Sequence, residues 1–417
     1  MTVSLAVAIA IFFLISIRQW LPPAVRIWQI MLVGAVVLLL TGRIAPSDAL
    51  EAIDWNVIGY LFGVFSIASA LYDSGFPHTV SEKIAGSGAS LARALFLFML
   101  IVSIVSVVLT NDAGAVIGTP IALALAIAYR IRPAVPLVAL CVIVTVASMM
   151  SPVGNPQNIL IVADGHFANP IGTFALWLTV PTILSLAFAY FWLLRCLKRE
   201  NETEEGNGDL PAPTRRLAWP AYLSAGLLAV LVIGDSLLQG RIPALDIPLG
   251  YLSLIACLPV YMFSPHRISL LRALDWPTLI FFLAMFVVTG AVLQSGALQT
   301  LLGSWRARLD DPVVITAIGF WASQLFSNVP VVEIYLNLLS ASEQRTLMLL
   351  SAMSTLAGNL FIISAASNVI VVQQAERYGA TPFSFWQFTG LVIPVTVVSI
   401  AVSYAWVVWI MPAPGTG

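Results

Sequence analysis

The sequence predicts an all-α polytopic membrane protein built as two inverted-topology repeats, with about 10 transmembrane helices, two re-entrant hairpins and two broken helices. Three observations carry this. The 417 residues are 59% hydrophobic and 9% charged, with a mean hydropathy of +0.95, which excludes a water-soluble fold. Apolar stretches of bilayer-spanning length recur along the chain. A charged segment rich in Pro and Gly lies near its middle, and the same order of stretches restarts after it.

In the first half, residues 1–197, apolar runs at Val3–Ile17, Val25–Thr41, Trp55–Tyr72, Ala134–Met150 and Thr173–Leu194 approach or reach the roughly 20 residues a spanning helix needs. Val3–Ile17 has neither a basic n-region nor a small-residue cleavage site, so it reads as a retained span. Between the third and fourth runs, Leu95–Leu109 and Ala113–Tyr129 are apolar helices joined by polar Thr110-Asn111-Asp112. This is a hairpin over about 92–130 whose tip lies at membrane depth. In Ser151-Pro-Val-Gly-Asn-Pro-Gln-Asn158, Pro152 and Pro156 remove backbone donors and Gly154 permits an irregular turn. The helix over about 134–163 should therefore break there and resume near Ile159.

Residues 198–216 form a solvated cytoplasmic linker, and 217–411 repeat the pattern. Runs at Leu217–Leu238, Pro248–Phe263 and Trp276–Gln294 precede a hairpin over about 313–341 around Ser327-Asn328-Val329-Pro330. A broken helix over about 347–374 and a last span at Trp386–Met411 follow. The halves align through polar interruptions: Asp54-Trp55 with Asp275-Trp276, Ser74-Gly75 with Ser295-Gly296, Asn111 with Asn328, and Asn158 with Asn368. The second break has no proline and rests on Gly358-Asn359, Ser364 and Asn368. Five spans per half is odd, so the second half must be inverted. With both termini outside, cytoplasmic loops collect 14 Lys and Arg against 5 on the other face, in line with the positive-inside rule for an inner (plasma) membrane.

Irregular backbone at membrane depth is tolerated where it is buried in protein or lines a wet cavity. Helices starting after Asn111, Asn158, Asn328 and Asn368 would turn free N–H groups and partial positive charge toward a midplane cavity suited to a small oxygen-rich solute. Candidate substrate and ion contacts are Thr110, Asn111, Asp112, Gly154, Asn155, Asn158, Ser327, Asn328, Ser364 and Asn368. The alternative is close helix packing by Gly and Ser, with isolated Asn residues joining helices. A carboxylate at a tip is costly in the membrane, so Asp112 should hold a proton or cation, or pair with a base. The repeat sets Val329 opposite it, so one half alone carries the acid. Glu333 is a second candidate for proton coupling, with a residue facing water at the hairpin mouth as its alternative reading. Asp54 and Asp275 read as N-caps or interfacial residues. No Lys or Arg falls in a hairpin core or a break, which favours a neutral or weakly charged substrate.

Net charge of −1 without a basic stripe argues against nucleic acid, and the lipid bilayer is the evident partner. Cys141, Cys196 and Cys257 lie far apart, and His78, His166 and His266 fall in loops. No metal-binding spacing, cofactor motif or catalytic set emerges, so an enzyme is not expected.

Asn-tipped hairpins followed by Gly154-Asn-Pro-Gln-Asn158 and Ser364-Ala-Ala-Ser-Asn368 resemble the ion transporter superfamily, which includes arsenite/antimonite permeases, Na+/H+ antiporters and Na+-coupled dicarboxylate and citrate carriers. The resemblance spans nearly the whole chain. It implies tips and breaks that form substrate and ion sites, an elevator-like secondary transporter, and a homodimer. Thr110-Asn111-Asp112 looks most like the arsenite permeases and a related group of permeases, whereas dicarboxylate carriers show Ser-Asn-Thr at both tips. The implied activity is efflux of arsenite or antimonite, a small inorganic substrate, in exchange for H+. Na+ coupling, as antiport or anion symport, is the alternative. A cytoplasmic ATPase partner is left open by the residues.

Overall fold

The computed structural model describes residues 3–16, 25–85, 88–164, 167, 169–198, 218–239, 247–296, 308–326, 328–339 and 343–411. Every regular element among them is helical, and the protein is a multi-pass, all-α membrane protein. Lys198 is the described end of the expected linker. Residues 199–216 of that linker, positions 340–341 of the second hairpin, and Ser327 lie outside the described residues.

In the first half the helices are α1 (Val3–Ser16), α2 (Ile27–Leu40), α3 (Pro46–Glu51), α4 (Trp55–Asp73) and α5 (Phe76–Ala85). They continue with α6 (Leu91–Val108), α7 (Asn111–Ala128), α8 (Ala134–Ser148), α9 (Pro156–Asp164) and α10 (Pro170–Leu197). The second half has α11 (Trp219–Gln239), α12 (Leu249–Phe263), α13 (Arg267–Ala273), α14 (Trp276–Gln294) and α15 (Pro312–Ala317). A π turn at Ile318–Ala322 leads into α16 (Ser323–Phe326) and then α17 (Asn328–Leu338). After α18 (Gln344–Ala357), a 3-10 turn at Ile362–Ser364 precedes α19 (Ala366–Arg377). The chain continues through α20 (Phe385–Tyr404) into a π segment at Ala405–Ile410.

Among the described residues six helical stretches are long and apolar enough to cross a bilayer: α4, α6, Asn111–Tyr129 including α7, α10, α14, and Phe385–Ile410 including α20. Four of the ten expected spans are among them, α6 and α7 being the hairpin: two spans are split, into α8 with α9 and α18 with α19, and the apolar part of α11 ends at Asp235. In addition α1, α2 and α12 are 14 or 15 residues long. Asp54 caps α4 by accepting from the N–H groups of Asn56 and Val57 at 2.9 and 3.1 Å, and Asp275 caps α14 through Thr278 N at 3.2 Å. Both therefore act as the N-caps read from sequence.

Helices apolar on every side belong in the centre, and α8 is buried throughout from Val135 to Ser148, with α7 and α18 beside it. Helices at the periphery leave large apolar side chains exposed, among them Phe96 and Ile104 of α6, Leu176 and Phe191 of α10, and Val397 of α20. In a bilayer such faces meet lipid. Glycine lets α4 and α12 touch backbone to backbone: a Cβ on Gly63 would lie 2.6 Å from the Ser253 carbonyl oxygen.

Candidate functional site

The first tip is built by helix capping. After α6 ends at Val108, Thr110 takes an extended conformation and its hydroxyl accepts from Ala113 N at 3.1 Å, which starts α7 at Asn111. Asn111 N donates to Gly154 O at 2.8 Å and Ser151 Oγ to Val107 O at 2.6 Å, so tip and first break are tied together. Tyr60 of α4 reaches both, donating toward Leu109 O at 3.3 Å and Val153 O at 3.4 Å.

Within the break, Gly154 is required by space, since a Cβ there would lie 2.5 Å from Ser148 O. The helix resumes at Pro156 rather than near Ile159. The fixed φ of proline suits a first helical position, where its missing N–H costs no bond. Asn158 is consequently inside the first turn. Its Nδ2 donates to Ser151 O at 2.9 Å and Ser148 O at 3.4 Å, and its Oδ1 accepts from Ser351 Oγ at 2.8 Å. Asn155 accepts from Ser148 Oγ and donates to Thr355 Oγ1 at 3.2 Å, where Gln157 also donates at 3.3 Å.

The second break forms without proline. Gly358 follows α18, Phe361 and Ala365 are extended, and α19 starts at Ala366. Asn368 Nδ2 donates to Gly358 O at 2.7 Å and Phe361 O at 3.4 Å. Gln324, three residues before the second tip, donates to Ala357 O at 2.7 Å and accepts from Ser364 Oγ, which ties this hairpin to its break.

These pieces enclose a cavity of about 530 Å³. The first residues of four helices line it: Asn111 of α7, Pro156 of α9, Asn328 of α17 and Ala366 of α19. Asp112 and Ser364 join them, while the facing wall is the second half of α4, from Phe65 to Asp73, and the start of α14, from Asp275 to Phe282. Arg26 and Arg377 also line it, together with Asp73. Among buried polar atoms, Asp112 Oδ1, Asn328 Oδ1, Asn368 Oδ1, Ser367 Oγ and both amide atoms of Asn359 have no hydrogen-bond partner. Unpaired buried polar atoms are costly, and a bound solute would satisfy those at the cavity wall.

Of the residues singled out from sequence, Asn111, Asp112, Asn328 and Ser364 line this cavity. Thr110, Gly154, Asn155, Asn158 and Asn368 lie behind it, shaping tip and breaks. Ser327 is outside the described residues. Glu333 is not among the lining residues; it lies within charge–charge range of Asp54 and Asp164 and bonds with Asn337. Sequence reasoning missed Gln324, Gln157, Ser351 and Thr355, although Ser351, Ser354 and Thr355 are polar interruptions in the otherwise apolar stretch from Leu347 to Ala357. It also missed Arg26 and Arg377, because it searched for cations within hairpins and breaks, whereas these stand at helix ends that border the cavity. Among the described residues no three or more His, Cys, Asp and Glu side chains gather as a metal-binding group.

Comparison with known proteins places the chain among membrane transporters. The citrate transporter family (CitMHS) matches residues 10–346. The inner membrane protein YbiR of Escherichia coli K12 is 26% identical over 391 residues, covering 93% of this chain and 96% of that protein. The uncharacterized transporter Rv2685 of Mycobacterium tuberculosis H37Rv is 26% identical over 404 residues, 91% of this chain and 93% of its own. The arsenical pump membrane protein of E. coli K12 is 25% identical over 342 residues, 78% of each chain.

Proposed function

Since the chain belongs to the citrate transporter family and is a membrane transporter, we propose that it exports arsenite or antimonite, as the neutral trihydroxide, or a similar small oxygen-rich solute in exchange for protons. One observation carries this reading: four helix N-termini and the unpartnered oxygens of Asp112 and Asn328 meet at one cavity, with no Lys or Arg on the tips. Hydroxyls of a neutral oxyacid would donate to those oxygens and accept from first-turn N–H groups, and α19 has no side-chain cap competing for its own. The likeness to the arsenical pump membrane protein supports the same solute class. Asp112 serves as the proton carrier.

Transport would proceed by alternating access between two inverted repeats, with tips and breaks moving as a unit past α4 and α14 in an elevator-like step. Matching bonds of Asn158 and Asn368 to carbonyls seven and ten residues earlier support the repeat. Arg26 and Arg377 belong to the loops that the charge count assigns to the cytoplasm, which makes this arrangement the inward-open one in the inner membrane, with both termini outside and a homodimer as the working unit. A second reading, a Na+-coupled carboxylate carrier, is favoured by the family's citrate description and by the two arginines bordering the cavity. Uptake of labelled arsenite, phosphate, succinate and sodium into proteoliposomes, each with and without a pH gradient, separates them. Arsenite flux driven by the gradient is expected. Gradient-independent, sodium-driven succinate flux would replace the first reading by the second.

A further inference from the structure

We propose that Asp275 and Asp112 form a two-carboxylate cation site across the cavity, assembled only while the first hairpin tip faces α14. This rests on the coupling role given to Asp112 above and adds a residue that its N-cap role would otherwise explain fully.

Asp112 stands in the first turn of α7, 5% exposed, with one carboxylate oxygen lacking any partner. Asp275 lies on the facing wall, half-buried at the start of α14, lining the same cavity and close enough for its charge to act on Asp112. From the second tip comes an independent sign of a ligand. Asn328 is 8% exposed, lines the cavity, and its amide oxygen is unpartnered. Three oxygen-bearing groups from three helices therefore border one space. Capping does not exhaust Asp275: its carboxylate accepts from Thr278 N at 3.2 Å and Thr278 Oγ1 at 2.7 Å, one bond to each oxygen, and each oxygen can accept another. Oxygen donors of this kind suit a hard monovalent cation, either a proton shared between the carboxylates or Na+.

Other charges near Asp112 are few. Of the helices packed on α7, α4 ends in Asp73, α5 carries Glu82, Lys83 and His78, the last on a helix and not in the loop expected from sequence, α6 has Arg93, α8 has none, and α19 has Glu376 and Arg377. His78 and Glu82 pair with each other at 3.6 Å. Of these residues only Asp73 and Arg377 line the cavity, and Arg26 and Asp275 complete its charged lining.

The two carboxylates sit on helices with different main packing partners. Asp112 is tied to the first break through Asn111 N and Ser151 Oγ, whereas α14 packs chiefly on α2. They meet only across the cavity, so any movement of the tip past α14 separates them and dissolves the site. Cation occupancy would thereby be linked to which face the cavity opens toward, because a ligand that binds one state better shifts the equilibrium by its differential affinity.

The test uses the full chain purified in detergent. Thermal stability is measured across pH, in sodium chloride and in choline chloride, for wild type, Asp112→Asn, Asp275→Asn and the double variant, with Asp275→Ser as a further check. Asn and Ser both cap helices, so α14 keeps its start. Expected is a pH response whose midpoint moves by about one pH unit on replacing Asp275, disappears on replacing Asp112, and is not changed further by adding Asp275→Asn to Asp112→Asn. Sodium-specific stabilisation lost in either single variant would name Na+ as the occupant; equal behaviour in both salts names the proton. A wild-type midpoint in both Asp275 variants, or effects of the two sites that simply add, overturns the pair. If Asp112→Asn instead leaves the pH dependence of transport intact, the coupling role of Asp112 itself has failed.

Discussion

Asn158 and Asn368 make the same bonds in the two halves of the chain: each Nδ2 donates to the carbonyls seven and ten residues earlier, Ser151 and Ser148 for one, Phe361 and Gly358 for the other. In each case a side chain in the first turn of one half-helix reaches back to carbonyls at the end of the preceding half-helix. At the break those carbonyls lack i+4 donors, and Ser148, Ser151 and Phe361 accept instead the backbone N–H three residues on. Their difference lies in the amide oxygen, held by Ser351 Oγ in Asn158 and unpartnered in Asn368. Replacing Asn158 by Ala leaves the Ser351 hydroxyl without its partner, at about 1–3 kcal/mol for a buried group left unsatisfied, while Ser148 O and Ser151 O keep the N–H groups of Ser151 and Gly154 at 3.2 Å. Asn368→Ala removes the 2.7 Å bond to Gly358 O, so both Ala variants should melt below wild type by comparable amounts in a detergent unfolding scan, and a wild-type melting point for either would show that its amide does not hold the break.

Gly154→Ala should abolish transport while the protein still reaches the membrane. Its new methyl would lie 2.5 Å from Ser148 O, and the backbone must shift to admit it, at about 1–3 kcal/mol. The bond from Asn111 N to Gly154 O would shift with it. Flux in proteoliposomes, compared with the amount of folded protein by gel filtration, checks this. Wild-type flux would show that the break need not keep its shape.

Asp112→Asn retains a polar tip but cannot exchange a proton. Expected is solute equilibration that no longer responds to an imposed pH gradient, with downhill exchange retained. A proteoliposome assay with and without the gradient decides, and an undiminished gradient response would remove Asp112 from the coupling step.

Side of access is open to chemical labelling. Gln373 lines the cavity and is exposed. With Cys196 replaced by Ser, a cysteine at 373 should react with an impermeant maleimide in inside-out vesicles and not in right-side-out ones. The opposite pattern would reverse the orientation drawn from loop charge.

The arginines at the cavity edge discriminate between substrate classes. For a neutral oxyacid, Arg26→Gln and Arg377→Gln should change the apparent affinity by less than about threefold. For a di- or tricarboxylate the loss should be about tenfold or more per arginine, the scale of a charge-assisted contact. Initial rates against concentration for arsenite and succinate give the answer.

Particular residues show how far the sequence could be read. Gly154 and the two prolines beside it announced the first break because such residues stand out in an apolar run. The start of α9 was misplaced by three residues because a proline that ends one helix is also a good first residue for the next. Thr110 to Asp112 announced the tip in the same way. The role of Asn158 was not legible, since its position gave no hint that its amide donates to Ser148 and Ser151 and accepts from Ser351. Asp275 was read correctly as a cap, but its place opposite Asp112 was invisible across 163 residues, the difference between positions 275 and 112.

Composition and the spacing of polar interruptions were enough to establish an all-helical membrane protein with tips and breaks, because lipid imposes helices and penalises every exception to them. Which exceptions face the solute and which merely hold the backbone together was decided in three dimensions. An asparagine amide satisfies its own chain or a ligand according to which carbonyls the fold brings within about 3 Å of it, a distance that sequence spacing does not encode.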